Sequence, residues 1–421
     1  MIKISKAKKL ESNLFKSFLL LVGGMGVAHI ISFLAVPLMT RLYSPEQFGI
    51  FTLLLAIINP LSAIACGRYD MTVVLAKDDK VANNIVFLSY CISIFFAIVA
   101  FIILFFYVED FSDILYNNVW YLIPLFIITQ GVFQTNNYWL QKKEAFKTIA
   151  GNKIFQTTAI ALFSLFLGYM GLYNGLTVGY FIGWFFLSCL TIIQLYFKGF
   201  DFASISFEQM KEAARKFVDF PLYNGIPALL NTASVSIPIF IILNNYSETE
   251  TGYFGLTRQV LAIPTSLIAA AFSQVFYQRV SFLKNQKNSI KKEVILLLKV
   301  LSLVAFLMTF LIGIFGPILF KLIFGSIWGV SGKFAQILIF AKCIQFIVLP
   351  VATILPVLDK IRLTSIWQIV YFLSIVSLYF FSFTNINSFL IAYAGIDFLC
   401  YAFYLFLILK EVRKYEKDIL K

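Results

Sequence analysis

Four ionisable residues lie deep inside hydrophobic runs of this chain: Arg258, Lys342, Asp397 and His29. A charge at that depth costs about 2.5 to 3.5 kcal/mol on insertion scales, so each needs a partner or a task. Arg258 sits about 8 Å from the end of its run and Lys342 about 12 Å from the end of its own, counting a regular helical rise. The helical neighbours of Arg258 are Ala262, Thr265, Ala269 and Ser273, a small and polar stripe suited to protein or water rather than lipid. Gln345 follows Lys342 by one turn, and Asp397 is flanked at helical spacing by Tyr393, Tyr401 and Tyr404. Buried cations in a cavity would attract an anionic ligand, and a carboxylate such as Asp397 could exchange an ion. The lone His29 is a second ion-coupling candidate. Plainer readings stand beside these. Lys342 and Asp397 would neutralise one another as a structural pair, Arg258 would snorkel to the surface, and His29 would be a packing residue.

Neutral polar residues form a second pattern. Gln130, Gln134 and Asn137 share one face of a span, and Asn224 and Asn231 stand two turns apart on another. Amides donate and accept together, which suits sugar hydroxyls; they also bridge helices. Enzyme signatures are missing: the chain has no phosphate-cradling Gly-x-x-x-x-Gly-Lys loop, and a single histidine argues against a Ser/His/Asp triad. The five cysteines lack metal spacing, so neither a metal nor a cofactor is expected, beyond a coupling ion such as H+ or Na+.

The elements that must position these groups are membrane spans. A chain of 421 residues with 60% apolar and 13% charged residues, at a mean hydropathy of +0.86, cannot face water as a globule. Twelve apolar runs are long enough to cross a bilayer: 15–39, 47–66, 85–107, 119–139, 149–170, 175–197, 221–243, 253–277, 293–315, 334–357, 361–383 and 387–409. Their continuity predicts helices, giving an all-α integral membrane protein rather than a barrel. Of the 34 lysines and arginines, all but Arg41, Arg258, Lys299, Lys321, Lys333 and Lys342 fall in the tails, in alternate gaps, or, as Lys16, Lys153 and Arg362 do, in the first residues of the spans beside them. That alternation predicts cytoplasmic N- and C-termini. The net charge of +13 is scattered over short loops, which excludes a contiguous nucleic-acid groove.

The longest gap, Lys198 to Phe220, spaces apolar residues at near-helical intervals between Lys211, Glu212, Arg215 and Lys216. It predicts an amphipathic helix on the cytoplasmic leaflet, in contact with membrane lipids. It divides the chain into an N-lobe (1–197, spans 1 to 6), a linker (198–220) and a C-lobe (221–421, spans 7 to 12). At an offset of 203, Tyr43, Ser44, Gly49, Phe51 and Leu53 match Tyr246, Ser247, Gly252, Phe254 and Leu256. Six-span halves of one orientation predict parallel repeats with a binding site between them.

The stretches Pro37-Leu-Met-Thr-Arg-Leu-Tyr-Ser-Pro-Glu-Gln-Phe-Gly-Ile-Phe and Gly67-Arg-Tyr-Asp-Met-Thr-Val-Val-Leu-Ala-Lys-Asp-Asp resemble the polysaccharide-biosynthesis flippases of the multidrug, oligosaccharidyl-lipid and polysaccharide (MOP) exporter superfamily. The match covers residues 36 to 84, and the twelve-span layout extends it along the chain. The resemblance implies two six-helix lobes, MATE-like, working by alternating access in the bacterial inner membrane. It implies transport of undecaprenyl-diphosphate-linked oligosaccharide, not enzymatic chemistry, with a polymerase and a chain-length regulator of the same pathway as partners. Arg258 and then Lys342 are the positions that would hold the diphosphate, while Arg41, Arg68 and Arg279 near span ends would guide the headgroup. Spans 1 and 2 carry no mid-membrane arginine, a departure from a three-cation clamp. Two alternatives remain: an ion-coupled multidrug exporter of the same superfamily, which would favour acidic cavities, and a polytopic polysaccharide polymerase, against which the short outer loops argue.

Overall fold

A computed structural model describes residues 23–111 and 119–419, apart from the side chains of residues 107–111, 264–271 and 274. Every regular element among the described residues is helical. Short 3-10 or π turns aside, in chain order they are α1 (Gly23–Leu42), α2 (Pro45–Ile64), a 3-10 segment (Tyr69–Leu75), α3 (Asp79–Phe111), α4 (Leu122–Lys142), α5 (Phe146–Tyr169), α6 (Gly175–Phe197), α7 (Phe207–Lys216), α8 (Ile226–Asn245), α9 (Glu248–Asn285), α10 (Lys291–Phe324), α11 (Gly329–Ala352), the short α12 (Ile354–Val357), α13 (Ile361–Ser377) and α14 (Ile386–Ile419). Leaving out α7 and α12, each helix falls on a predicted span. Among the described residues, nine are long and apolar enough to cross a membrane by composition alone. The three that fall short are α4, α5 and α9. Polar residues dilute α4 and α5, and many of those are buried, including Gln130, Asn136, Asn152 and Gln156.

Two compact units emerge. Of the described residues, the first comprises those up to Tyr43 together with those of Leu54–Thr232, and the second comprises Ser44–Leu53 with those from Ala233 onward. The linker 198–220 falls within the first unit. Helix α7 docks on the first unit: Ala213 is buried, and Ile205 and Phe217 pack against a cluster that includes Val73, Ile85, Val86 and Trp139. Asn84 fastens the approach to α7 by donating to the Ser204 carbonyl and the Gln209 side chain and accepting from the Ser206 amide. The Tyr69 hydroxyl donates to the Ala214 carbonyl at 3.1 Å. The apolar side of α7, expected against lipid, thus packs in part against protein, while Phe207 and Val218 stay exposed.

The second unit includes the start of α2 because of the repeated residues. Ser44 and Ser247 both cap helices: the Gln47 amide donates to Ser44 Oγ while Gln47 Oε1 accepts from the Ser44 amide, and Ser247 Oγ accepts from the Glu250 amide. One turn on, a Cβ at Gly49 would lie 2.0 Å from the Glu248 carbonyl oxygen, and a Cβ at Gly252 would lie 1.7 Å from the Pro45 carbonyl oxygen. Pro45 and Glu248 are themselves related by the offset of 203. The contact is therefore reciprocal, and only glycine lets the two backbones cross this closely. Phe48 closes the crossing edge-on against Trp328, at 4.9 Å between ring centroids.

Candidate functional site

The second unit gathers the deep charges. Helix α11 carries Lys342 and Gln345 one turn apart, α14 carries Tyr393, Asp397, Tyr401 and Tyr404 along one face, and α13 supplies Thr364, Trp367 and Tyr371. Lys342 Nζ donates to Asp397 Oδ2 and to Gln345 Oε1, each at 3.0 Å. The Tyr371 hydroxyl donates to Asp397 Oδ1 at 2.9 Å, and Gln345 donates to the Tyr401 hydroxyl at 2.9 Å. Asp397 is 0% exposed and the Lys342 side chain 15%. Both carboxylate oxygens are therefore satisfied, the condition under which a buried ion pair is tolerated. Trp367 lies between Tyr371 and Tyr404, stacked on the latter at 4.3 Å, and donates its indole N–H to the Cys400 carbonyl. The tyrosines line the pair's enclosure and are too buried to present an open stacking surface.

Arg258 on α9 is half-buried. Its Nη1 donates to the Val235 carbonyl of α8 at 2.7 Å, and its guanidinium lies 5.6 Å from the Phe254 ring centroid. Lys342 feels its charge. Lys342 and Asp397 cancel, so Arg258 leaves the cluster with a net charge of one positive unit. Of its predicted small stripe, the side chains of Thr265 and Ala269 lie outside the described residues.

The first unit holds the amides. Gln130 is buried, Gln134 donates to the Ser62 carbonyl at 3.3 Å, and Asn137 Oδ1 is buried without a hydrogen-bond partner. The better-connected amide is the neighbour, Asn136, which accepts from the Tyr90 hydroxyl of α3 and donates to Thr191 Oγ1 of α6 at 3.1 Å. Asn152 and Gln194 exchange two hydrogen bonds of 2.8 Å each. Asn136 lies off the face that the spacing of Gln130, Gln134 and Asn137 picks out, and Asn152 and Gln194 lie too far apart in sequence for spacing to pair them. Asn224 and Asn231 are both exposed. His29 is half-buried on α1, with Lys153 of α5 the charge that acts on it. Arg41 is exposed at the end of α1, Arg68 follows α2 with its Nε buried, and Arg279 is paired with Glu293 at 3.3 Å.

A profile of the family described as "Polysaccharide biosynthesis protein" matches residues 38–333, well over half of the chain. The chain belongs to the polysaccharide biosynthesis family. The matched region includes Arg258 and all but Pro37 of the two quoted motif stretches. No curated protein matches this family member by sequence. Its fold is shared with solved structures at low identity. A multidrug resistance MATE family transporter of the MOP superfamily, in an inward-facing conformation, superposes with a TM-score of 0.73 at 14% identity, over 92% of this chain and 96% of that one. The lipid II flippase MurJ, in an inward closed conformation, gives 0.73 at 14% identity, over 93% and 89%. A MOP superfamily transporter from Pyrococcus furiosus, described as having a binding pocket of reverse polarity that suggests a different function, gives 0.61 at 13% identity, over 95% and 96%. The family member is thus a multi-pass membrane protein with the MATE and MurJ fold.

Proposed function

We propose that this protein is a flippase that carries undecaprenyl-diphosphate-linked oligosaccharide across the bacterial inner membrane, and that it is not an enzyme. The observation that carries the reading is the net positive cluster of the second unit, in which Lys342 is neutralised by Asp397 and Arg258 is left as the uncompensated cation. A diphosphate is the anion such a cation would hold, and a guanidinium offers it several donors at once. Membership of a polysaccharide biosynthesis family and the fold shared with a lipid II flippase support a lipid-linked sugar as cargo. The physical need is clear: each sugar hydroxyl stripped of water costs several kcal/mol, so the headgroup requires a polar path while the prenyl tail stays in lipid. Within this reading Lys342 positions the aromatic cage, and Arg258 meets the diphosphate.

The test is Arg258→Gln in cells that depend on the protein for surface polysaccharide. Surface polysaccharide should fall at least tenfold while the protein remains membrane-inserted, and lipid-linked units should accumulate inside. Wild-type polysaccharide in that strain would refute the diphosphate role. The equal superposition on a multidrug transporter gives the exporter reading its support. Drug resistance conferred on a pump-deleted host, with no effect on polysaccharide, would favour that reading instead.

A further inference from the structure

A carboxylate on the 3-10 segment that follows α2, unused by the reading above, has no side-chain partner among the described residues. Gly67 and Arg68 both adopt positive φ, at 57° and 62°, and this sharp reversal turns the 3-10 segment back against α3 and α4. Left-handed backbone is unusual for arginine, and here it brings Asp70 inward. Asp70 is 1% exposed, and among the described residues no side chain bonds either of its carboxylate oxygens; the backbone amides of Asp70 and Met71 are the donors that act on it. Arg68 forms no ion pair with it, although its charge acts on Asp70 and its own Nε is buried and unpartnered. Two further polar atoms are buried without a partner among the described residues: Ser62 Oγ of α2, one turn before Cys66, and Asn137 Oδ1 of α4, next in sequence to Tyr138. Cys66 bonds the Gly131 carbonyl of α4, Gln134 bonds the Ser62 carbonyl, and Tyr138 feels the charges of Asp70 and Arg68, so these groups belong to one junction.

The surrounding charges are otherwise engaged. On α4, Lys142 donates to the Ala76 carbonyl and Lys143 pairs with Asp79 of α3. Tyr90 of α3 is committed to Asn136, and Arg215 and Lys216 of α7 lie on the exposed side of that helix. Cys66, Arg68 and Tyr138 are the titratable groups in the field of Asp70. An ionised carboxylate left this dry, with backbone amides but no counter-ion in contact, would be penalised, whereas a carboxylic acid is neutral.

We propose that Asp70 is a proton-binding group, neutral beside an unpaired Arg68, and that its deprotonation draws the Arg68 guanidinium onto it. In the step, the carboxyl O–H bond breaks, the electron pair stays on oxygen and the proton leaves to water. The carboxylate then gains Arg68 as its counter-ion. Burial raises the affinity of Asp70 for its proton above the ordinary carboxylate range, and the charge of Arg68 opposes that rise. The 3-10 segment would then have two arrangements that differ by one proton, at a position capped by α7 through Tyr69. The proposal does not depend on the cargo.

Infrared difference spectra of the full-length protein in nanodiscs, titrated with acid and base, read this directly. The wild type should show a protonated-carboxyl C=O band that persists to a pH above that of an ordinary aspartate, and Asp70→Asn should lose it. Arg68→Gln should move the titration to higher pH, because the cation that favours the carboxylate is gone. Replacing potassium by sodium at constant pH should leave the band unchanged. Absence of the band in wild type, its survival in Asp70→Asn, or an unmoved midpoint in Arg68→Gln would overturn the proposal. Erasure of the band by sodium would do the same, since it would show a metal-cation site. Should Asp70→Asn fail to fold, the Arg68→Gln titration still decides, because it reads the native carboxyl.

Discussion

The two units solve the same problem, polar groups among membrane spans, by different chemistry. In the first, neutral amides and hydroxyls join helices: Asn136 connects α3, α4 and α6, and Asn152 and Gln194 connect α5 and α6. In the second, the polar centre is an ion pair between α11 and α14 inside a cage of Tyr371, Tyr393, Tyr401 and Trp367. Neutral bonds are individually weak in a bilayer, because an unfolded helix in lipid also finds partners. A buried ion pair is nearly neutral when whole and costly when halved. The second unit therefore carries the greater energetic stakes at a single point, and next to that point it keeps its extra cation.

The comparison predicts unequal responses to mutation. The largest should come from halving the ion pair. Lys342→Ala or Asp397→Ala leaves a buried charge alone and should cost about 3 to 5 kcal/mol, read as a large drop in thermal midpoint in detergent. The double variant Lys342→Met with Asp397→Leu should recover most of that loss. If it is no better than the single variants, the pair is not the source of the penalty. A middle effect is expected at Asn136→Ala, which leaves the Tyr90 hydroxyl without its acceptor and should cost about 1 to 3 kcal/mol by the usual penalty for an orphaned polar group. A loss as large as that of Asp397→Ala would erase the contrast between the units. The smallest belongs to Asn152→Ala, where one amide pair between spans is worth about 0.6 kcal/mol on average. Its double-mutant cycle with Gln194→Ala should give a coupling of that order.

Legibility followed the same divide. Arg258, Lys342 and Asp397 stood out in the sequence because a charge in an apolar run is rare, and the structure brings all three into one region of the second unit. The amides were harder to read. Gln134 and Asn137 share a predicted face, yet Asn136 makes the stronger connections, because hydrogen bonding between spans depends on rotations that spacing does not reveal. Asp70 lay within a quoted motif without any periodicity to mark it, and Arg279, grouped with the headgroup guides, is engaged by Glu293.

The helical class, the span positions and the alternation of basic loops were determined by the sequence alone, because each depends on local transfer costs summed along about 20 residues. The repeated Ser, Gly and Phe positions were likewise visible as a pattern. Only the tertiary structure decided that Gly49 and Gly252 are the sites where two backbones meet, that Lys342 closes on Asp397 across 55 residues, and that Asp70 is enclosed with no side-chain partner among the described residues. The physical reason is that hydropathy places a helix in the bilayer but leaves its rotation open. Rotation is set by packing and by which polar groups find one another, and those are properties of the assembled helices.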